Sequence, residues 1–196
     1  MKRVLKLAAV AAASLVVLGC GTVNLNKAIT GTDCTTREEC VKALNLRNPE
    51  KADLTFVVKP YEFNIVFKNA YGVRHPFTGN RTGNAAYCVA DAIKRKFGNS
   101  RILIDDTHKR NDLFVMITDV ETGGSFRYSE YAEIKASVFA DGKKNDIKGF
   151  SSIGILRKID EANDAKVYKG ACADIAKQIK KLVGENQPAK TGMAGN

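Results

Sequence analysis

Side chains able to do chemistry are few in this sequence, and they form no familiar arrangement. The 196 residues include two histidines, His75 and His108, and no tryptophan. Asp105, Asp106, His108 and Asp112 fall within one short stretch, and carboxylates with an imidazole are ligands for a divalent metal. The same residues are ordinary turn chemistry between two strands, because Asp accepts hydrogen bonds from the backbone that follows it. The turn is the preferred reading, so neither a metal nor a cofactor is expected. A Gly-x-Ser-x-Gly elbow, a His-Glu-x-x-His pair and a Cys-x-x-Cys pair are all missing from the sequence. A non-enzymatic protein is therefore expected. The alternative is a metal- or ligand-binding protein or enzyme using His75, His108 and nearby carboxylates.

Cationic side chains offer a second chemistry. The stretch Thr78-Gly79-Asn80-Arg81-Thr82-Gly83-Asn84 sits in a long connection over residues 69–83, and connections of that length are often functional. Gly79, Gly83 and Arg81 could present N–H groups and a guanidinium to an anion at a helix start. A solvated loop with Thr82 or Asn84 as N-cap explains the same residues. The missing Lys-Ser/Thr ending of a phosphate loop favours that second reading. Candidates for a contact surface are Arg74, Arg81, Lys94, Arg95 and Lys96, with Lys180 and Lys181 beside them. For Lys94, Arg95 and Lys96, a helix C-terminus is reason enough, since cations there suit the helix dipole.

The formal net charge is +10, which matches acidic partners such as phospholipid head groups or an acidic protein surface. At the N-terminus, Lys2, Arg3 and Lys6 precede an apolar run from Leu7 to Leu18 whose single polar residue is Ser14. A charged head, a short apolar stretch and a small residue before the cut make a secretory signal over residues 1–19. The run is too short to span a bilayer core, which takes about 20 apolar residues. Val17-Leu18-Gly19-Cys20 resembles the lipobox of bacterial lipoproteins. That resemblance implies cleavage before Cys20, acylation of Cys20 with palmitate-type chains, and a lipid anchor at the new N-terminus. Gly21 in the next position implies sorting to the outer membrane, with the domain in the periplasm. Removing Lys2, Arg3 and Lys6 lowers the +10 charge by three. The export address argues against nucleic acid as the acidic partner.

With Cys20 taken by lipid, Cys34, Cys40, Cys88 and Cys172 remain. Four cysteines in an oxidising compartment make two disulfides, with three pairings open. Thr36 and Glu39 form a capping box for a short helix, with Cys34 before it and Cys40 in its first turn. Cys88 and Cys172 lie within two longer helices that should share one sheet face. Placement therefore favours Cys34 with Cys40 and Cys88 with Cys172.

The elements that must position these groups follow from periodicity. Residues 20–53 read as a lipidated tether carrying the short disulfide-linked helix. Strand-like alternation runs from Leu54 to Lys68, interrupted at Pro60, with Leu54–Pro60 an edge that could pair with another chain. A helix is expected from about Ala85 to Phe97, stopped at Gly98-Asn99. Strands are expected at Arg101–Asp105, Leu113–Val120, Tyr128–Ala140 and Ile147–Leu156, where Gly149 and Gly154 weaken the last. A final helix spans about Ala165 to Val183, and residues 185–196 read as a disordered tail. The expected fold is α+β over residues 54–184: a mainly antiparallel sheet of four to five strands, with two helices packed on one face. In element order this segment resembles small outer-membrane assembly lipoproteins of the LPS-assembly-lipoprotein-like or YajG-like kind, although the four further cysteines and the 69–83 loop depart from that pattern. The resemblance implies a lipid-anchored periplasmic binding or assembly adaptor, bound to the membrane by its N-terminus and to an envelope protein or acidic envelope component. A surface-exposed structural or exclusion lipoprotein is the remaining alternative.

Overall fold

The structure, a computed structural model, describes residues 22–25, 36–45, 48–66, 80–109, 112–124, 128–154 and 161–186. Residues 1–19, expected to be a signal, and Cys20, Cys34, Arg74 and His75 lie outside these residues. In chain order the elements are β1 (Thr22–Asn24), α1 (Arg37–Asn45), β2 (Leu54–Val58), β3 (Glu62–Val66), β4 (Asn80–Asn84) and α2 (Ala85–Phe97). They are followed by β5 (Ser100–Ile104), β6 (Leu113–Gly123), β7 (Tyr128–Ala140), β8 (Lys143–Gly154) and α3 (Glu161–Asn186).

The fold is α+β, with a five-stranded sheet in the order β5-β2-β6-β7-β8 and a three-stranded sheet in the order β1-β4-β3. Two details differ from the expected antiparallel sheet with two helices. β2 runs parallel to both β5 and β6, while β6, β7 and β8 are antiparallel, so the larger sheet is mixed. A parallel return needs a crossover, and the passage from β2 to β5 supplies it through the small sheet and α2. The described helices number three, because α1 also buries Cys40 and Leu44 in the main core.

The Leu54–Lys68 alternation splits at Pro60 into strands of different sheets. Pro60 has no N–H to give a ladder, and Asn84 fixes the corner instead. Its Oδ1 accepts from the Tyr61 N–H at 3.1 Å and from the Ala86 N–H at 3.0 Å, which makes it the N-cap of α2. β2 is thereby a central strand with both flanks paired, so Leu54–Pro60 is not a free edge.

The core lies between the large sheet and its two long helices. Phe56 meets Phe97 with ring centroids 4.8 Å apart, and Phe63 meets Tyr168 at 5.5 Å. Ala132, Ile134, Ala136 and Val138 of β7, alternate residues on one face of the strand, belong to this core. α3 lies so close to β8 that a Cβ at Gly149 would collide with the Ala171 carbonyl and lie 2.7 Å from Ile175 Cγ1. Gly149 is therefore the seat of the helix, a role different from weakening a strand.

Both edges of the large sheet are blocked from within. At β5 the Asn48 amide donates to the Ile102 carbonyl at 2.8 Å and accepts the Ile102 N–H at 2.9 Å, in the manner of a neighbouring strand. At β8, Asp174 accepts the Phe150 N–H at 3.3 Å, and the Gln178 amide donates to the Lys148 carbonyl at 2.7 Å. Such capping occupies backbone groups at Ile102, Lys148 and Phe150 that could otherwise pair with another strand.

At the two ends of the chain the elements run further than the sequence patterns imply. Thr22–Asn24 is a strand paired parallel with β4, and Leu25 is fully buried, so the chain joins the fold inside the stretch expected to be tether. α3 likewise continues to Asn186, into the expected tail.

Candidate functional site

α2 and α3 are clamped together by a disulfide between Cys88 and Cys172, whose Cα atoms are 5.9 Å apart. Cys40 is also disulfide-bonded, and its expected partner Cys34 lies outside the described residues. Small side chains beside the Cys88–Cys172 clamp leave a groove between the helices of about 190 Å³. Ala92 on α2 and Ala173 and Ala176 on α3 line its apolar part, while Arg95, Lys96 and Lys169 supply positive charge at its sides.

Arg95 is held in place from below. Asp91, one helical turn earlier, is buried and binds the Arg95 guanidinium at 2.5 Å, while the Arg95 side chain itself remains 67% exposed. A guanidinium has five N–H donors, so donors remain for an anion in the groove. Lys96 and Lys169 are flexible point charges by comparison. Their position over an apolar floor fits a carboxylate or phosphate attached to a small apolar group.

The sequence candidates divide in the structure. Arg95 and Lys96 come together at the groove. Lys94 does not join them, because its ammonium turns the other way and donates to the Ser100 carbonyl at 2.6 Å. Burial lowers its pKa from the ordinary lysine value. Arg81 differs most from its expected place on an open loop. It lies within β4, is 2% exposed and forms an ion pair with Asp164 in the first turn of α3. It acts as an internal strut there and is not available to an external anion. Lys180 and Lys181 are exposed on α3 but do not line the groove.

Lys169, Asp91 and the three alanines were missed by sequence reasoning. A signal for them existed. Once Cys88 and Cys172 are paired, residues one turn away on the facing sides must border the same seam. That places Ala92 beside Cys88, and Lys169 and Ala176 beside Cys172.

Asp105 and Asp112 in the 105–112 stretch are engaged as turn groups. Asp105 Oδ1 accepts the Asp106 N–H at 2.7 Å and the Thr107 N–H at 3.3 Å, and Asp112 accepts the Lys109 N–H at 2.7 Å. His108 stacks on Phe114 with centroids 4.1 Å apart. Among the described residues, no group of three or more His, Cys, Asp or Glu side chains could hold a metal ion.

The sheet face away from the helices is laced with charge. Lys135 bridges Asp119 at 2.9 Å and Glu133 at 3.8 Å, and Lys148 reaches Glu133 at 3.1 Å. Tyr131 donates to Glu121 and stacks near Phe150. Partial burial first, then the Glu121 hydrogen bond and nearby carboxylates, push the Tyr131 phenol well above its ordinary pKa. Lys135 and Lys148 on this face thus have local partners, whereas Lys96 and Lys169 at the groove have none among the described residues.

No protein-family model matches the chain, and no curated protein matches it. Among solved structures it is similar in shape to an uncharacterized protein, with a TM-score of 0.48, 10% identity and coverage of 69% of this chain and 95% of that one. It is also similar to protein XCC0632 from Xanthomonas campestris, assigned to DUF330, with a TM-score of 0.42, 13% identity and coverage of 70% and 91%. These likenesses are of overall shape only.

Proposed function

We propose that this protein is a lipid-anchored, non-enzymatic binding or assembly adaptor of the bacterial outer membrane, acting from the periplasmic side. Its partner is an envelope protein or other envelope component that presents an acidic group to the α2–α3 groove. The observation that carries this reading is the convergence of Arg95, Lys96 and Lys169 around an alanine-floored groove. Support for the address comes from the lipobox-like Val17-Leu18-Gly19-Cys20 and from a disulfide-stapled core, which suits an oxidising compartment.

The test uses the detergent-solubilised, acylated protein as bait for solubilised envelope. A variant carrying Arg95→Glu, Lys96→Glu and Lys169→Glu should lose the bound species, and Lys180→Glu with Lys181→Glu should keep it. Equal recovery by both variants would remove the groove from the proposal. Steady turnover of an envelope substrate would remove the non-enzymatic part.

A further inference from the structure

The groove between α2 and α3 has regular helix on both walls, and the Cys88–Cys172 bond clamps those walls together. Its charge is unbalanced. Arg95, Lys96 and Lys169 line it with a single carboxylate, Asp91, which leaves two positive charges in excess. Asp91 is buried, and its bond to Arg95 fixes the guanidinium without covering it. A guanidinium held this way offers its remaining N–H donors as a fork, which matches the oxygens of a carboxylate or phosphate. Lys96 is exposed on α2 and Lys169 half-buried on α3, so positive charge comes from both walls.

The size of that excess discriminates between acidic groups. A carboxylate or a phosphodiester carries one negative charge and leaves one of the two unmatched. A phosphomonoester carries about −1.5 to −2 at neutral pH, on three acceptor oxygens of one compact group. A dicarboxylate reaches the same charge but divides it between two groups, each needing its own seat. A volume of about 190 Å³ equals roughly six waters. One tetrahedral anion and a few carbon atoms fill it, with the carbons over Ala92, Ala173 and Ala176.

We infer that the groove is a phosphomonoester site, taking a phosphate dianion borne on an aliphatic carbon. Arg95 grips the oxygens in its fork, Lys96 and Lys169 supply the matching charge, and the alanines receive the first carbons of the alcohol part. The inference rests on the groove reading of the proposed function and deepens it, because it specifies the acidic group that the envelope partner presents.

The test uses the full acylated protein in an uncharged detergent at about pH 7.5, where a phosphomonoester is largely dianionic. Butyl phosphate, butyl methyl phosphate, pentanoate, succinate and inorganic phosphate are titrated separately. Backbone amide NMR at Ala92 and Ala173 reads each dissociation constant inside the groove. Butyl phosphate should bind about tenfold more tightly than its methyl diester or pentanoate, from the additional charge beside two lysines. It should also bind more tightly than inorganic phosphate, which has no carbon to place on the alanines. Lys96→Gln with Lys169→Gln should erase the preference over the diester, and Lys180→Gln with Lys181→Gln should keep it. Equal binding of monoester and diester, or of butyl phosphate and inorganic phosphate, would overturn the inference. Tighter binding of pentanoate or succinate would overturn the phosphate assignment while leaving an acidic partner in the groove. No shift at Ala92 and Ala173 with any of the anions would remove the groove reading itself.

Discussion

Breaking the buried Arg81–Asp164 pair should cost more stability than any surface change in the protein. The two side chains are 2% and 4% exposed, so solvent screens them little. Two unit charges about 4 Å apart attract by about 4 kcal/mol at an effective dielectric of 20. Removing one partner loses that attraction and leaves the other charge buried without its counter-ion in the pair, at a typical total of about 3–5 kcal/mol. Arg81→Met and Asp164→Leu are thus each expected to destabilise by about 3–5 kcal/mol. With a urea slope of about 2 kcal/mol/M, the unfolding midpoint should fall by about 1.5–2.5 M. The double substitution removes both buried charges and should cost less than either single one, within about 1–2 kcal/mol of the parent or above it. Urea titrations under non-reducing conditions, followed by far-UV circular dichroism, read all four proteins. If either single variant lost less than about 1 kcal/mol, or the double variant lost as much as the singles, the strut would not be a desolvated ion pair.

Replacing Cys88 and Cys172 by alanine opens a crosslink across 84 residues. Chain entropy puts the loss at about 4–5 kcal/mol, to be read as a lower midpoint in the same titration. Gly149→Ala should destabilise by about 1–3 kcal/mol, since the new methyl would press on the α3 backbone, whereas Gly154→Ala meets nothing nearby and should be close to neutral in thermal melts. The Asp146 carboxyl, held below the ordinary aspartate range first by the Ser137 hydroxyl and then by Lys144, should contribute stability above that range and lose it as pH falls through the folded pKa. Carboxyl-carbon NMR should show its titration moving up in Ser137→Ala. An unmoved titration would dismiss the Ser137 hydrogen bond as the main cause.

Periodicity made much of this fold legible. α2 occupies the expected Ala85–Phe97 because its apolar spacing, the Asn84 cap and the Gly98 stop agree. β7 matches its expected span for a similar reason, having one face to bury and one to wet. The Thr36 and Glu39 capping box forms as expected, with reciprocal 3.3 Å bonds. Strand direction was not legible, since alternation along β2 says nothing of which way its neighbours run. β1 and β4 were missed because each is short and polar, held by backbone pairing, with the buried Leu25 just after β1 and the buried Arg81 and Asn84 in β4. Arg81 misled for a related reason: an arginine between glycines looks solvated until Asp164, 83 positions later, is placed beside it. Half of the groove was legible in Arg95 and Lys96. Lys169 required the Cys88–Cys172 pairing to be carried through to its neighbours.

In the proposed function the groove receives an acidic envelope partner. Its most direct test is a photo-crosslinking residue at Ala173, on the groove lining, in cells that express the acylated protein. One envelope species should be captured, and capture should be abolished by Arg95→Glu with Lys169→Glu while acylation and the disulfides stay intact. Recovery of the protein without an adduct, or capture of the same species by the charge-reversed variant, would contradict the account.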